Sequence, residues 1–257
     1  MTSKIEGAND YYSCKVNNGI AVVRLCEKAF EIVTELAPSE RYIALIEAIE
    51  QDSDIAGLVQ INDLNFRDDL INQNFFANMR EEKVDKFKHL SGLMTRYGNI
   101  AGRLSSTFSA FTKPMVAGID GNTTLEYFAI VLPFDYRIAT HSSNAVFPNI
   151  RNGFPPSGNL VYQLQRAVGA ARAAEIFLVG EPLSPSRLLE YGLISRIGET
   201  DHLEEQCLEI ARKICDQPSI ALMATRQMLR PAEIDFQKFM ERIQGISQLV
   251  LAKHLQQ

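Results

Sequence analysis

Residues able to transfer protons, attack an electrophile or hold a metal are scattered along this chain. The histidines His89, His141, His202 and His254 belong to no ligand pair such as H-E-x-x-H, so no metal site is expected. The cysteines Cys14, Cys26, Cys207 and Cys215 form no C-x-x-C pair, which removes the usual spacing for zinc or dithiol chemistry. Ser157-Gly158 lacks the G-x-S-x-G elbow of a nucleophilic serine, and neither G-x-G-x-x-G nor G-K-[ST] is present to cradle phosphate. Carboxylates remain. Asp63, Asp68 and Asp69 lie in a polar segment, 62–74, directly after an apolar run at 55–61. α/β proteins place ligand-facing loops after such strands, so this segment is the first candidate wall of a site. Loop capping is the plainer role for Asp68 and Asp69. His89 follows in a helical stretch, where ending a solvated charged face is the plainer reading, and His141 reads as a loop residue.

The elements that must position these groups follow from periodicity. Ile20–Leu25 reads as a strand after the turn-like Asn17-Asn18-Gly19, and 55–61 as a second, buried one. Between them Pro38-Ser39 opens a helix with Tyr42, Leu45, Ile46 and Ile49 on one face. Residues 75–112 read mostly as helix, with a charged face at 80–89. Lys113-Pro114 starts a strand to Ile119 that Asp120-Gly121 turns out of the sheet. A short buried helix then begins near Thr124 and stops at Pro133, followed by a strand at 135–139. Strand, loop, buried helix and strand in this order imply parallel pairing with helical crossovers. The proline- and glycine-rich stretch 147–158 reads as an ordered loop. Helices follow up to Gly169, from Ala170 to Val179, from Ser184-Pro185 to Gly192, and over 201–215, 220–229 and 234–255. The reading divides the chain at residue 199, into an α/β core over 1–199 and a helical region over 200–257 that packs on the core or on neighbouring subunits.

Composition narrows the class. With 257 residues, 46% hydrophobic and 22% charged, the chain can bury a large core and is not a disordered polymer. A net charge of −5 gives no positive field for nucleic acid. The polar N-terminus has no apolar signal region, and no apolar run approaches the roughly 20 residues that span a bilayer, so the expectation is a cytoplasmic protein with no membrane partner.

The block 113–139 resembles the crotonase, or enoyl-CoA hydratase/isomerase, superfamily. Lys113-Pro114, Gly121, and the Asp135-x-Arg137 strand stand at the family's spacing without insertion. Pro148, Gly153, Arg166 to Gly169, Ala174-Glu175, Gly180 and Tyr191-Gly192-Leu193-Ile194 extend the likeness, and 218–229 is similar to the family's proline-to-lysine helix with Arg226 in the lysine position. The resemblance covers about residues 15–230. It implies an α/β fold of the ClpP/crotonase type, a spiral of ββα units with a helical C-terminal region. It also implies homotrimers or dimers of trimers, and as ligand an acyl thioester of coenzyme A or of an acyl-carrier protein, with no permanently bound cofactor. In that family two backbone amides stabilise a thioester enolate as an oxyanion hole does.

The departures from the family pattern shape the functional expectation. Glu126 stands where the middle glycine of the family's triple-glycine run belongs, and Arg67-Asp68-Asp69 replaces the Ala-Gly-x-Asp donor loop. The resemblance therefore assigns the oxyanion amides to Asp68 and Glu126, in a site made less permissive by side chains where glycine allows close approach. Ala129 and Asn149 stand where the family carries its two glutamates. Hydration of a double bond requires one group to activate water and another to deliver a proton, so this pair disfavours ordinary hydration. Glu126 is the displaced-base candidate, with salt-bridging away from the pocket as its plainer role. Asp68, Asp69 and His89 are further catalytic candidates, and Arg67 and Arg151 are the candidates for coenzyme A phosphates. Three functions follow: acyl-CoA processing through altered enolate chemistry, a carrier-protein-linked decarboxylase of polyketide type, or a non-catalytic thioester-binding or assembly homologue. The decarboxylase branch has a Tyr-Gly-Phe-x-Pro loop similar to Asn152-Gly153-Phe154-Pro155-Pro156.

Overall fold

The computed structural model describes residues 5–62, 86–147, 150, 155–229 and 238. Its chain begins with β1 (Gly7–Ala8), β2 (Tyr12–Asn17) and β3 (Ile20–Leu25), paired antiparallel. The turn between β2 and β3 uses Asn18 at φ 49° and Gly19 at φ 76°, the left-handed pair that matches the twist of a two-residue hairpin. A 3-10 turn (Glu27–Phe30), α1 (Glu31–Thr34) and α2 (Leu36–Gln51) lead to β4 (Gly57–Asn62). Helix α2 starts two residues before the expected Pro38, which sits in the first turn, where a missing N–H costs no helical bond. The long α3 (Lys86–Ala110) precedes β5 (Met115–Ile119), β6 (Asn122–Thr124) and α4 (Leu125–Val131). Then follow β7 (Tyr136–Thr140), β8 (Asn144–Val146), α5 (Gly158–Val179), α6 (Pro185–Glu190) and β9 (Arg196–Gly198). A 3-10 turn (Thr200–His202), α7 (Leu203–Cys215) and α8 (Ser219–Leu229) complete the described chain. Gly169 interrupts α5 with a non-helical φ of 78° and ψ of 163°, so the two helices expected there are present and meet at this kink.

Among the described residues the main sheet has the order β1-β2-β3-β4-β5-β7-β9, parallel from β3 onward, and β6 pairs with β8 in a second, parallel sheet. Buried on both faces, β5 is apolar throughout, and β4 is apolar apart from the buried Gln60 and Asn62, rather than alternating with exposed polar residues. One face, carrying Val23, Leu58, Met115, Ala117 and Ile119, packs into the large core with α2, α3, α4 and α5. The other, carrying Val22, Val59, Val116 and Ile138, is covered by Leu203, Cys207, Leu208 and Ala211 of α7. This approach is close enough to require glycine on β5. A methyl group at Gly118 would stand 3.0 Å from Cys207 Sγ and 3.1 Å from Leu203. No helix among the described residues is long and apolar enough to cross a membrane.

The motif residues of the central block act as braces. Lys113 donates from Nζ to the carbonyls of Ile49 (2.7 Å) and Asp52 (2.6 Å), tying the end of α2 to the start of β5, and burial lowers its pKa. Asp135 accepts the Met115 N–H at 2.7 Å on one oxygen and Arg226 Nε at 2.7 Å on the other. Arg137 donates to the carbonyls of Leu193, Leu132 and Phe134. Its burial holds the guanidinium down at about 10, opposed by the charge of Asp135.

Candidate functional site

The carboxyl ends of β4 and β5 meet because the parallel register pairs Ile61 with Gly118, which leaves Asn62 beside the turn that follows Ile119. The Asn62 side chain closes that junction, accepting the Asp120 N–H at 2.7 Å and donating to the Asp120 carbonyl. Asp120 is buried, and a buried carboxylate needs donors. Its Oδ1 receives the hydroxyls of Thr140, of Ser142 at 2.7 Å and of Thr200 at 3.4 Å, while Ser143 donates to the Ile119 carbonyl at 2.9 Å. The ends of β4, β5 and β7 are thus locked around one carboxylate, and they fix the segment that leads through β6 into α4.

Thr124 caps α4. Its backbone is extended (φ −87°, ψ 156°) and its hydroxyl accepts the Tyr127 N–H at 3.3 Å. Leu125 and Glu126 are the first two residues of the helix, where backbone N–H groups have no partner within the helix. Glu126 is one of these two residues; its side chain lies outside the described residues. Ala129, one turn further on, is fully buried beside Phe128 and Val131 and brings no titratable group.

Arg67, Asp68, Asp69, Asn149 and Arg151 lie outside the described residues. His89 falls within α3, its side chain likewise undescribed. His141 and His202 are exposed and stand beside Glu199 (3.7 Å) and Glu205 (3.3 Å), as surface pairs do. Ser157 is the N-cap of α5, accepting the Leu160 N–H at 3.1 Å, and Tyr127 is buried in the core. Among the described residues no three His, Cys, Asp or Glu gather to hold a metal.

Two groups escaped the sequence reading. Asp120 was assigned only to a turn, although the Thr140-His141-Ser142-Ser143 run after the neighbouring strand supplied the hydroxyls that a buried carboxylate requires. Asn159, in the first turn of α5, is buried with neither its amide nitrogen nor its oxygen paired among the described residues. Nothing in the sequence around it marks that position.

A family model described as enoyl-CoA hydratase/isomerase matches residues 94–248, more than half of the chain. Similar curated proteins include the 2,3-dehydroadipyl-CoA hydratase of Escherichia coli K12, 28% identical over 131 residues, or 51% of each chain. Another is the trans-2-decenoyl-[acyl-carrier-protein] isomerase of Streptococcus mutans, 23% identical over 74% of this chain and 70% of that protein. The chain thus spans about half the length of the first and somewhat more than two thirds of the second. Among solved structures, an enoyl-CoA hydratase from Bacillus halodurans superposes with a TM-score of 0.76 at 18% identity, over 94% of this chain and 95% of that one. At that identity the likeness is one of fold, and it agrees with the ClpP/crotonase architecture expected from the sequence.

Proposed function

The chain belongs to the enoyl-CoA hydratase/isomerase family, and from that premise we propose that it binds an acyl thioester and stabilises its enolate on backbone amides without the two-carboxylate hydration machinery. The observation that carries this reading is Ala129: a fully buried methyl at a position where the family resemblance calls for a proton-transferring glutamate. The amide of Glu126, free of an intrahelical partner in the first turn of α4, supports the oxyanion role, with Asp68 as the second donor. Glu126 is our candidate for a displaced base, and Asp68, Asp69 and His89 for polar roles around the thioester. Arg67 and Arg151 are our candidates for the phosphates of coenzyme A. The names of the two curated relatives, one acting on a coenzyme A ester and one on a carrier-protein ester, support either carrier. We assign the assembly to a homotrimer or a dimer of trimers.

The same observation favours decarboxylation as a second reading. When a malonyl-type thioester loses carbon dioxide, the electron pair of the breaking C–C bond moves onto the thioester oxygen, and the enolate later takes a proton from water. No general base is required to make the enolate, so an alanine at 129 leaves that route open. Non-catalytic thioester binding would keep the amides and lose the turnover. Calorimetric titration with acetyl-CoA tests the common premise, with saturable binding at one site per chain expected. Carbon dioxide release from malonyl-CoA and from a malonylated carrier protein then separates decarboxylation from binding alone. Absence of binding by both carriers overturns the proposal.

A further inference from the structure

A cavity of about 440 Å³ lies at the opposite end of the sheet, between α3, α4, α5 and α8. Asp135 and Arg137 at the start of β7 form part of its wall, as does Leu132 at the end of α4. The five residues of β7 separate it from the carboxyl ends of the strands by about 13 Å. Among the described residues three guanidinium groups line it, those of Arg137, Arg166 and Arg226, against the one carboxylate of Asp135. Both Asp135 oxygens are already engaged, by Met115 N–H and by Arg226 Nε. Among the described lining residues two positive charges are left in surplus.

The decisive group is Arg226. It is 5% exposed. Nε is spent on Asp135 and Nη1 on the carbonyls of Thr112 and Phe111, but the buried Nη2 meets no acceptor among the described residues. Arg137 spends Nε and Nη1 on three carbonyls, and Arg166 rests on the Tyr162 ring at 5.5 Å while remaining exposed. A buried guanidinium nitrogen without an acceptor is costly, and an oxyanion is the ligand that satisfies it best. Leu132, Pro133, Phe134 and Leu229 give the same cavity an apolar side, which a bare inorganic ion would leave unfilled, while Ala167 adjoins Arg166.

We propose that this cavity is a second ligand site, distinct from the thioester site, which takes a small organic carboxylate with its head among Arg137, Arg166 and Arg226 and its apolar body on Leu132, Pro133 and Phe134. The proposal stands independently of the function assigned above.

Calorimetric titration of the full chain with sodium hexanoate, in a buffer free of other carboxylates, tests it. One saturable site per chain is expected, with inorganic phosphate binding more weakly. Arg226 variants risk the fold, so the discriminating changes are at the exposed mouth. Ala167→Glu places a carboxylate beside the ligand head and should weaken hexanoate at least about tenfold, and Arg166→Gln should weaken it about threefold, both with unchanged melting in the absence of ligand. Saturating coenzyme A should leave hexanoate binding in place. The proposal is overturned by no saturable heat up to about 10 mM, by phosphate binding as tightly as hexanoate, by equal affinity in Ala167→Glu, or by displacement of hexanoate by coenzyme A. Failure of coenzyme A itself to bind would count against the proposed function and leave this site untouched.

Discussion

Replacing Arg226 by methionine should be among the most damaging single changes in the described chain. The guanidinium is 6% exposed and its partner Asp135 24% exposed, so the pair sits close to the limit where removing one charge strands the other. Arg226→Met deletes the 2.7 Å bond to Asp135 and leaves that carboxylate, among the described residues, with the Met115 N–H alone. It also frees the Thr112 carbonyl. Breaking a buried pair costs about 3–5 kcal/mol, and the residual exposure of Asp135 places this case near about 3. In a chain of 257 residues that loss corresponds to a fall in Tm of roughly 6–12 °C. Arg226→Lys keeps the charge but not the fork, so about 1–2 kcal/mol should be lost. Asp135→Asn combined with Arg226→Met should cost less than the sum of the single changes by about 1.5 kcal/mol or more, because the second change no longer strands a charge. Urea denaturation followed by circular dichroism, at one fixed protein concentration, measures all four variants. A loss below about 1 kcal/mol for Arg226→Met, or strict additivity in the cycle, would show that Arg226 and Asp135 are not coupled in the folded chain.

Gly118→Ala pushes a methyl group to 3.0 Å from Cys207 Sγ and should cost about 1–3 kcal/mol, with part recovered in the Gly118→Ala/Cys207→Ala double variant; a double variant no better than the sum of the single ones contradicts the contact. Burial pushes the Cys207 thiol from 9.0 up to about 12. The unfolded chain therefore releases this proton first, and the associated stability is present below pH 9 and lost as pH rises toward 12. By pH 10.5 the loss is about 2 kcal/mol, seen as a steeper decline of the denaturation midpoint in the native chain than in Cys207→Ala; parallel declines would exclude it. Asn159→Leu removes a buried amide that has no partner among the described residues and should raise stability by about 1 kcal/mol, while a fall in stability would show that the amide is satisfied in solution.

The parts of the fold that were legible in the sequence are those where one local rule dominates. Met115–Ile119, and Ile20–Leu25 apart from Arg24, are apolar on both faces because the strands are covered twice, and Ser184-Pro185 caps α6 as its residue types require. The strands that escaped are short or depend on partners: β6 and β8 are three residues each and exist only by pairing with one another, and β9 is held by β7. In β2 only Tyr12 and Cys14 are buried, and its place in the sheet comes from the hairpin at Asn18-Gly19. At the site, Thr124 was readable as the start of a helix because capping is local. Asp120 was not readable as a hub, since its donors come from Thr140, Ser142 and Thr200, up to 80 residues away, and only the sheet order brings them together. Arg226 could be placed by resemblance, but its pairing with Asp135 and its unsatisfied Nη2 are tertiary facts.

Steady-state hydration of crotonyl-CoA by the purified protein measures whether the chain retains an acid–base pair. With a buried methyl at Ala129 and an amide at Asn149, the roughly 10²–10⁴-fold that positioned acid–base groups contribute is missing, so little or no turnover is expected. Any residual rate should fall further in Glu126→Ala. Fast hydration that persists in Glu126→Ala would contradict both the loss of the acid–base pair and the displaced base.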